Sequence, residues 1–330
     1  MQEHDVVAIG NALVDVIAHC DDAFLAAHER TKGSMALVDV PTMQSLYAAM
    51  GPGIEISGGS AANTMVGVAS FGGKSGFIGK TADDQIGEVF RHDIRAAGVT
   101  FATPAAAGGD PTGRSLILVT PDGQRTMNTF LGVSPHLGNG EVDAGLIRSA
   151  RILYLEGYLF DQPDAKAAFR QAADIAAKAG RKVALTLSDA FCVGRHRAEF
   201  LDLVRNSVDI LFANESEVTS LYETTSFDEA ASRAQADTKL AALTRSEKGS
   251  LILGDGKAIR IPAAPVEAVV DTTGAGDLYA AGFLYGVARG LPLETAGKLG
   301  SLAAAEVISH VGARPQAGLA ELARERGLLG

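Results

Sequence analysis

Asp271-Thr272-Thr273-Gly274-Ala275-Gly276-Asp277 runs directly into Leu278-Tyr279-Ala280-Ala281-Gly282-Phe283-Leu284. This junction of a small-residue turn with an apolar stretch governs the reading of the chain. A Gly-Ala-Gly turn at the head of a helix leaves backbone N–H groups unpaired and pointing outward. With the helix dipole, they make a place for an anion. Asp277 falls in the first turn, where a carboxylate either caps the helix or serves as a base beside a phosphoryl group. The periodicity predicts one helix over 274–289 and a second over 293–309, broken at Gly290-Leu291-Pro292.

Working upstream, short apolar runs bounded by Gly, Asp, Asn or Ser recur at 6–9, 76–78, 152–155, 183–187, 210–212, 240–243 and 251–253. Such runs suit strands buried on both faces of a parallel sheet. Helical patterns at 61–71, 84–97, 164–179, 198–206 and 216–222 lie between them, which predicts an α/β fold with an open, mostly parallel sheet flanked by helices. Residues 31–40 and 54–57 break that rhythm. So does the stretch 99–130, where Pro121-Asp122-Gly123 joins two strand patterns into a hairpin. These pieces predict a small second sheet, split in sequence, over the mouth of the large one.

The composition excludes several classes. Across 330 residues, 47% are hydrophobic and 21% charged, which rules out a disordered chain. The net charge of −10 gives no footprint for nucleic acid or an anionic membrane. Cys20 and Cys192 are too few to staple a secreted scaffold. With no export signal and no apolar run of spanning length, a soluble cytoplasmic protein is expected. Glycine is abundant, at 38 residues, and is expected in turns and where backbone approaches a ligand. Gly73-Lys74-Ser75 and Gly79-Lys80-Thr81 end like phosphate loops but lack the glycine five positions earlier. Zinc spacings and a GxSxG elbow are absent from the sequence.

The segment 271–277 with its following helix resembles the second signature of the PfkB, or ribokinase-like, kinases. Gly58-Gly59-Ser60-Ala61-Ala62-Asn63, running on through residue 87, is similar to the first signature. Asn214-Glu215-Ser216-Glu217 resembles the family's Asn-x-x-Glu motif. Thr244 to Gly249 resembles its nucleotide loop, with Ser246 at the position of that loop's first glycine. The matches fall in family order from residue 10 to about 315. They imply a ribokinase-like α/β kinase unit over 1–330 whose β lid is discontinuous, approximately 12–57 in part and 99–131.

The resemblance implies an ATP-dependent phosphotransferase acting on a primary alcohol. Asp277 would take the hydroxyl proton, and the amides of Gly274, Ala275 and Gly276 would stabilise the migrating charge. ATP would lie against Asn214, Glu217, Thr244, Gly249, Thr272, Gly274, Gly276 and Arg125. Glu217, with Asn214 acting through water, would hold Mg²⁺. Asp271 and Thr273 match positions that bind K⁺ in some members. Asn11, Asp15, Gly58, Gly59 and Asn63 match the sugar site, with Asp15 taking two hydroxyls. Met127 and Leu131 share a face of the 125–131 strand and would press on a base, or else form ordinary lid core.

Local wording at 123–127, 154–158 and 209–215 resembles the adenosine-kinase branch, which implies adenosine as acceptor through its 5′-hydroxyl. A sugar kinase of ribokinase, fructokinase or 2-keto-3-deoxygluconate kinase type is the alternative. A sugar acid would want a second basic group near Asp15, and the sequence places none there. A catalytically silent ligand-binding member is the third reading. Lid sheets of this family are free or pair between subunits, so a monomer or homodimer is expected.

Overall fold

A computed structural model describes residues 3–330. Its strands are β1 (His4–Ile9), β2 (Leu13–His19), β3 (Met35–Leu37), β4 (Gly53–Gly58), β5 (Ser75–Ile78), β6 (Val99–Phe101) and β7 (Thr112–Val119). The rest are β8 (Arg125–Gly132), β9 (Ala150–Glu156), β10 (Lys182–Thr186), β11 (Ile210–Asn214), β12 (Leu240–Thr244), β13 (Ser250–Gly254) and β14 (Lys257–Ile261). Nine of them form the large sheet, in the order β14-β13-β12-β11-β10-β9-β1-β5-β6. From β12 to β6 every pairing is parallel; β13 alone runs the other way, antiparallel to both β12 and β14.

The central strand shows why unbroken apolar runs belong here. Val6, Val7, Ala8 and Ile9 are all fully buried. Val6 and Ala8 pack into the core beneath helices Ser60–Ser70, Ala275–Ala288 and Leu293–Val307. Val7 and Ile9 face the other core, beneath helices Pro163–Lys178 and Ala190–Asn206. Alternate side chains thus serve opposite layers, as a sheet covered on both faces requires.

Glycine has a use that the turn argument did not anticipate. A Cβ on Gly282 would lie 2.4 Å from Leu299 O, and one on Gly286 2.7 Å from the Ala296 Cβ. These positions let the two C-terminal helices pack backbone to backbone.

The second sheet has the order β3-β8-β7-β2-β4. The hairpin across 121–123 joins β7 and β8, with Ile117 opposite Met127 and Ser115 opposite Thr129. Residues 99–101, assigned to the lid from sequence, pair instead with β5 at the edge of the large sheet. Val99 and Phe101 are buried, and Phe101 stacks on Phe77 and meets the edge of Phe90. That apolar cluster draws the strand away from the lid.

The helix expected over 198–206 begins earlier, at Ala190, where Asp189 caps it, and it kinks at His196. Among the described residues, no helix is long and apolar enough to cross a membrane.

Candidate active site

The parallel strands β1, β9, β10, β11 and β12 all end on one side of the large sheet, where open α/β sheets bind ligands. A cavity of about 360 Å³ opens there. Its floor includes Thr186, Ser188, Phe212, Ala213, Asn214, Glu217 and Thr244, and the turn 272–277 closes one side. The inward residues of the lid form the roof: Leu13 and Asp15 from β2, Ser115 and Ile117 from β7, Met127 and Thr129 from β8.

The turn at 274 heads the helix, but it leaves a different set of amides free from the Gly274, Ala275 and Gly276 expected from sequence, because that of Ala275 is bonded within the turn. Gly274 precedes the helix with φ 79°, and its side-chain space is filled by Ala313, 2.7 Å from where a Cβ would stand. Ala275 gives its amide to Thr272 O at 3.2 Å, and Leu278 gives its own to Gly274 O at 2.8 Å. The amides of Gly274, Gly276 and Asp277 remain for a ligand, and a Cβ on Gly276 would meet open space.

Asp277 stands half-buried at the cavity wall. Its Oδ1 accepts from Ser60 Oγ at 2.6 Å and its Oδ2 from Asn63 Nδ2 at 3.2 Å. Burial pushes its pKa above the ordinary carboxylate value, against the opposing effects of those two bonds and the Arg314 guanidinium. Among the described residues, no cation lies within salt-bridge distance of its side chain; Arg314 binds Asn63 and Ser57 instead.

Asp15 faces it from the lid. Burial raises its pKa to about 6, while Arg314 and Arg125 pull it down and Asp277 pushes it up. Gly58 and Gly59 are required beside it. A Cβ on Gly58 would lie 2.5 Å from the Asp15 Oδ2, and one on Gly59, at φ 99°, would lie 2.1 Å from Asn11 O.

Asn11 does not line the cavity. Its Nδ2 donates to Glu156 Oε1 at 2.7 Å, and its Oδ1 accepts from Ser134 Oγ at 3.0 Å. Glu156 also accepts from Ala61 N at 2.8 Å, so it ties the end of β1 to the helix that carries Ser60 and Asn63. Burial lifts the Glu156 pKa to about 7.

On the nucleotide side, Asn214 and Glu217 form a reciprocal cap. Asn214 N and Nδ2 donate to Glu217 at 2.9 and 2.6 Å, and Glu217 N donates to Asn214 Oδ1 at 2.9 Å. Glu217 still faces the cavity. Burial raises its pKa to about 7, and the charges of Asp189 and Asp277 push it the same way. Thr244 lines the cavity. Gly249 does not: it turns β12 into β13 at φ 79°, where a Cβ would lie 2.0 Å from Ile261 O. Ser246 adopts φ 51°, the left-handed conformation that a glycine takes most readily.

Arg125 and Leu131 lie outside the cavity lining. Arg125 is buried and paired with Asp271, joining lid to core, and its Nε and Nη2 have no protein acceptor. Asp271 Oδ1 accepts from Thr273 N and Oγ1, and its Oδ2 accepts from Arg125 and from Gly312 N. Four donors on two oxygens fill the carboxylate, so Asp271 does not fit a K⁺ ion.

Sequence reasoning missed four parts of this region: Ser60, Glu156, Arg314 and a second cavity. The last, about 900 Å³, lies between segment 262–268 and the helix Leu293–Val307. Ser60 lies within the first signature and Glu156 within the 154–158 stretch, neither singled out there, and no short motif marks Arg314 or the second cavity. The basic group that the sequence could not place near Asp15 exists twice, as Arg314 and Arg125.

Residues 55–317 match the pfkB family carbohydrate kinase family. An adenosine kinase from Sinorhizobium meliloti is 52% identical, with 98% of this chain and 99% of that one covered and a TM-score of 0.90. A probable sugar kinase from Rhizobium etli is 50% identical over the whole of both chains, with a TM-score of 0.92. A 5-dehydro-2-deoxygluconokinase from Shouchella clausii is 28% identical over 93% of this chain and 90% of its own. The chain therefore belongs to the PfkB family of carbohydrate kinases and is a phosphotransferase that acts on a hydroxyl group.

Proposed function

We propose that the protein transfers the γ-phosphoryl group of ATP to the 5′-hydroxyl of a nucleoside, with adenosine first. The observation that carries this reading is the balance of charge and apolar surface around Asp15. Arg314 faces Asp15, Asp93 and Asp277, and Arg125 is paired with Asp271. Four carboxylates surround two guanidinium groups, so an anionic sugar acid would meet net negative charge. Leu13, Ile117 and Met127 in the lid, with Tyr158 and Phe212 opposite, provide apolar surface for an uncharged base. The 52% identical adenosine kinase supports the same choice.

In this reading Asp15 accepts the two vicinal ribose hydroxyls and holds the ring. Asp277 accepts the proton of the 5′-hydroxyl as its oxygen attacks the γ-phosphorus. Its proton affinity, raised by burial, suits that task, because a stronger base takes the proton more readily. The free amides of Gly274, Gly276 and Asp277 meet the charge on the transferring group. Thr244 and Thr272 flank the phosphates, and the second cavity, lined by segment 262–268, accommodates the adenosine end of ATP.

The donor set suits a hydrated Mg²⁺ near Glu217 and Asn214. Both Glu217 oxygens already accept one bond each, which favours contact through water, and the charges of Asp189 and Asp277 raise the proton affinity of Glu217. When bound, such an ion neutralises phosphate charge.

A second reading rests on the two guanidinium groups beside Asp15: if a substrate carboxylate displaced Asp15 from them, a sugar-acid kinase would result. The test is ADP formation from ATP and Mg²⁺ with adenosine, other nucleosides, ribose, fructose and 5-dehydro-2-deoxygluconate. Turnover with adenosine at a kcat/KM at least about tenfold above every sugar is the expected result. Turnover only with the sugar acid overturns the proposal, and no turnover with any alcohol leaves the silent ligand-binding reading.

A further inference from the structure

Gly58-Gly59 separates the end of lid strand β4 from the helix Ser60–Ser70, which supplies both hydrogen-bond partners of Asp277. One guanidinium reaches both sides of that break. Arg314 lies in the turn that follows the helix Leu293–Val307. On the lid side its Nη2 donates to Ser57 O and, at 2.9 Å, to Ser57 Oγ. On the core side its Nε donates to Asn63 Oδ1 at 2.8 Å. Ser57 is held from its other flank by Asp93, which accepts from its N at 2.9 Å and its Oγ at 2.5 Å.

These contacts determine which way the Asn63 amide points. A guanidinium only donates, so Asn63 must turn its oxygen to Arg314 and its NH₂ to Asp277. Reversed, the amide would set donor against donor at Arg314 and acceptor against carboxylate at Asp277. The same turn also touches the anion site. Gly312 N donates to Asp271 at 3.1 Å, and Ala313 fills the space beside Gly274.

We propose that Arg314 is a positioning residue for phosphoryl transfer: it bridges the Gly58-Gly59 break when β4 is seated and fixes the Asn63 amide that anchors Asp277. Alignment of the base is then conditional on the lid strand, because withdrawal of Ser57 removes two of the three acceptors of Arg314. The groups acting on Asp277 are few. Arg314 is the cation. Asp15 from β2, Glu156 at the end of β9, and Glu217 in the helix after β11 are the carboxylates, with Tyr154 and Tyr158 beside them. Arg125 acts on Asp15 from the lid. Loss of Arg314 therefore leaves Asp277 among carboxylates and raises its proton affinity.

The inference rests on Asp277 being the base. The full chain is assayed with ATP, Mg²⁺ and adenosine, or with whichever sugar of the panel is turned over. Arg314→Met is expected to lower kcat about 10- to 100-fold with the KM for ATP little changed. The acid limb of its kcat–pH profile should move upward by about half a unit or more, because a base with higher proton affinity is lost at higher pH. Arg314→Lys keeps the charge without the planar fork. It should restore the acid limb and still fall about 3- to 10-fold short in kcat. A folded Arg314→Met with wild-type kcat and an unmoved limb overturns the inference. If that variant does not fold, wild-type kcat in Arg314→Lys overturns it alone. Asp277→Asn separates the two levels. Activity in that variant defeats the base assignment itself; inactivity there beside normal Arg314 variants defeats this inference only.

Discussion

Replacing Asp277 by asparagine removes the proposed base and spares its scaffold. Asp277 Oδ2 accepts from Asn63 Nδ2 at 3.2 Å, and the new amide oxygen can accept that bond. Ser60 Oγ, 2.6 Å from Oδ1, can rotate to accept from the new NH₂. The side chain stays in place and can no longer take a proton. General-base catalysis contributes about 10²- to 10⁴-fold, or about 2.7–5.4 kcal/mol of barrier, and kcat should fall by that factor. The KM for ATP should stay within about twofold, since in the proposed site backbone amides hold the phosphates.

Stability should move the other way in the same variant. Burial holds the Asp277 pKa above its unfolded value, so the folded state binds more protons between the two values. Wild-type stability is therefore lost as pH rises through that interval, and the full cost remains above it. Asparagine has no charge to bury, so Asp277→Asn should melt above the wild type at pH 7.5 and lose that advantage near pH 4. Steady-state kinetics and paired thermal melts at the two pH values read both effects. A kcat within tenfold of wild type refutes the reasoning. So does an inactive variant that melts below the wild type at pH 7.5, because it would make Asp277 a structural group.

Asp15→Asn should raise the KM for the alcohol about 10- to 100-fold, the loss expected when hydrogen bonds to a charged acceptor become neutral ones; an unchanged KM removes Asp15 from the site. Arg125→Ala strips the cation from Asp271, whose side chain is 6% exposed, and breaking a buried pair in this way costs about 3 kcal/mol or more. Denaturant unfolding that shows a loss under about 1 kcal/mol would contradict a closed lid held by that pair. The ligand-free protein should lose thermal stability from pH 5 to pH 7.5, because Asp15 and Glu156 have pKa values raised to about 6 and 7, and their ionisation opposes folding across that window. A melting temperature that climbs over the same range would show that both carboxylates ionise freely in the fold.

The large sheet was legible because its strands carry a local signature. Val6–Ile9 reads as a strand buried on both faces without any knowledge of its neighbours. The anion turn was legible for the same reason, since a glycine turn, a helix and a first-turn acid are contiguous in the chain. What the sequence hid depends on long-range closure. Val99–Phe101 has the same strand character in either sheet, and only the Phe77–Phe90–Phe101 cluster decides which one it joins. Glu156 follows an apolar strand and looks like any strand-end carboxylate until Asn11 and Ala61, 145 and 95 residues away, donate to it.

Arg314 is the extreme case. Its neighbours Gly312, Ala313 and Pro315 suggest a loop, and its partner Ser57 is 257 residues distant. The contacts across that distance explain why a charge argument from the sequence could not settle the acceptor. The sequence places no second basic group next to Asp15, because this one arrives from the far end of the chain. Once present, it does not make the site cationic, because Asp93 and Asp277 share it with Asp15. In the proposed reading, an alcohol entering this cavity satisfies Asp15 with hydroxyls while leaving the guanidinium to its existing partners, and a ribose carrying an uncharged base does both.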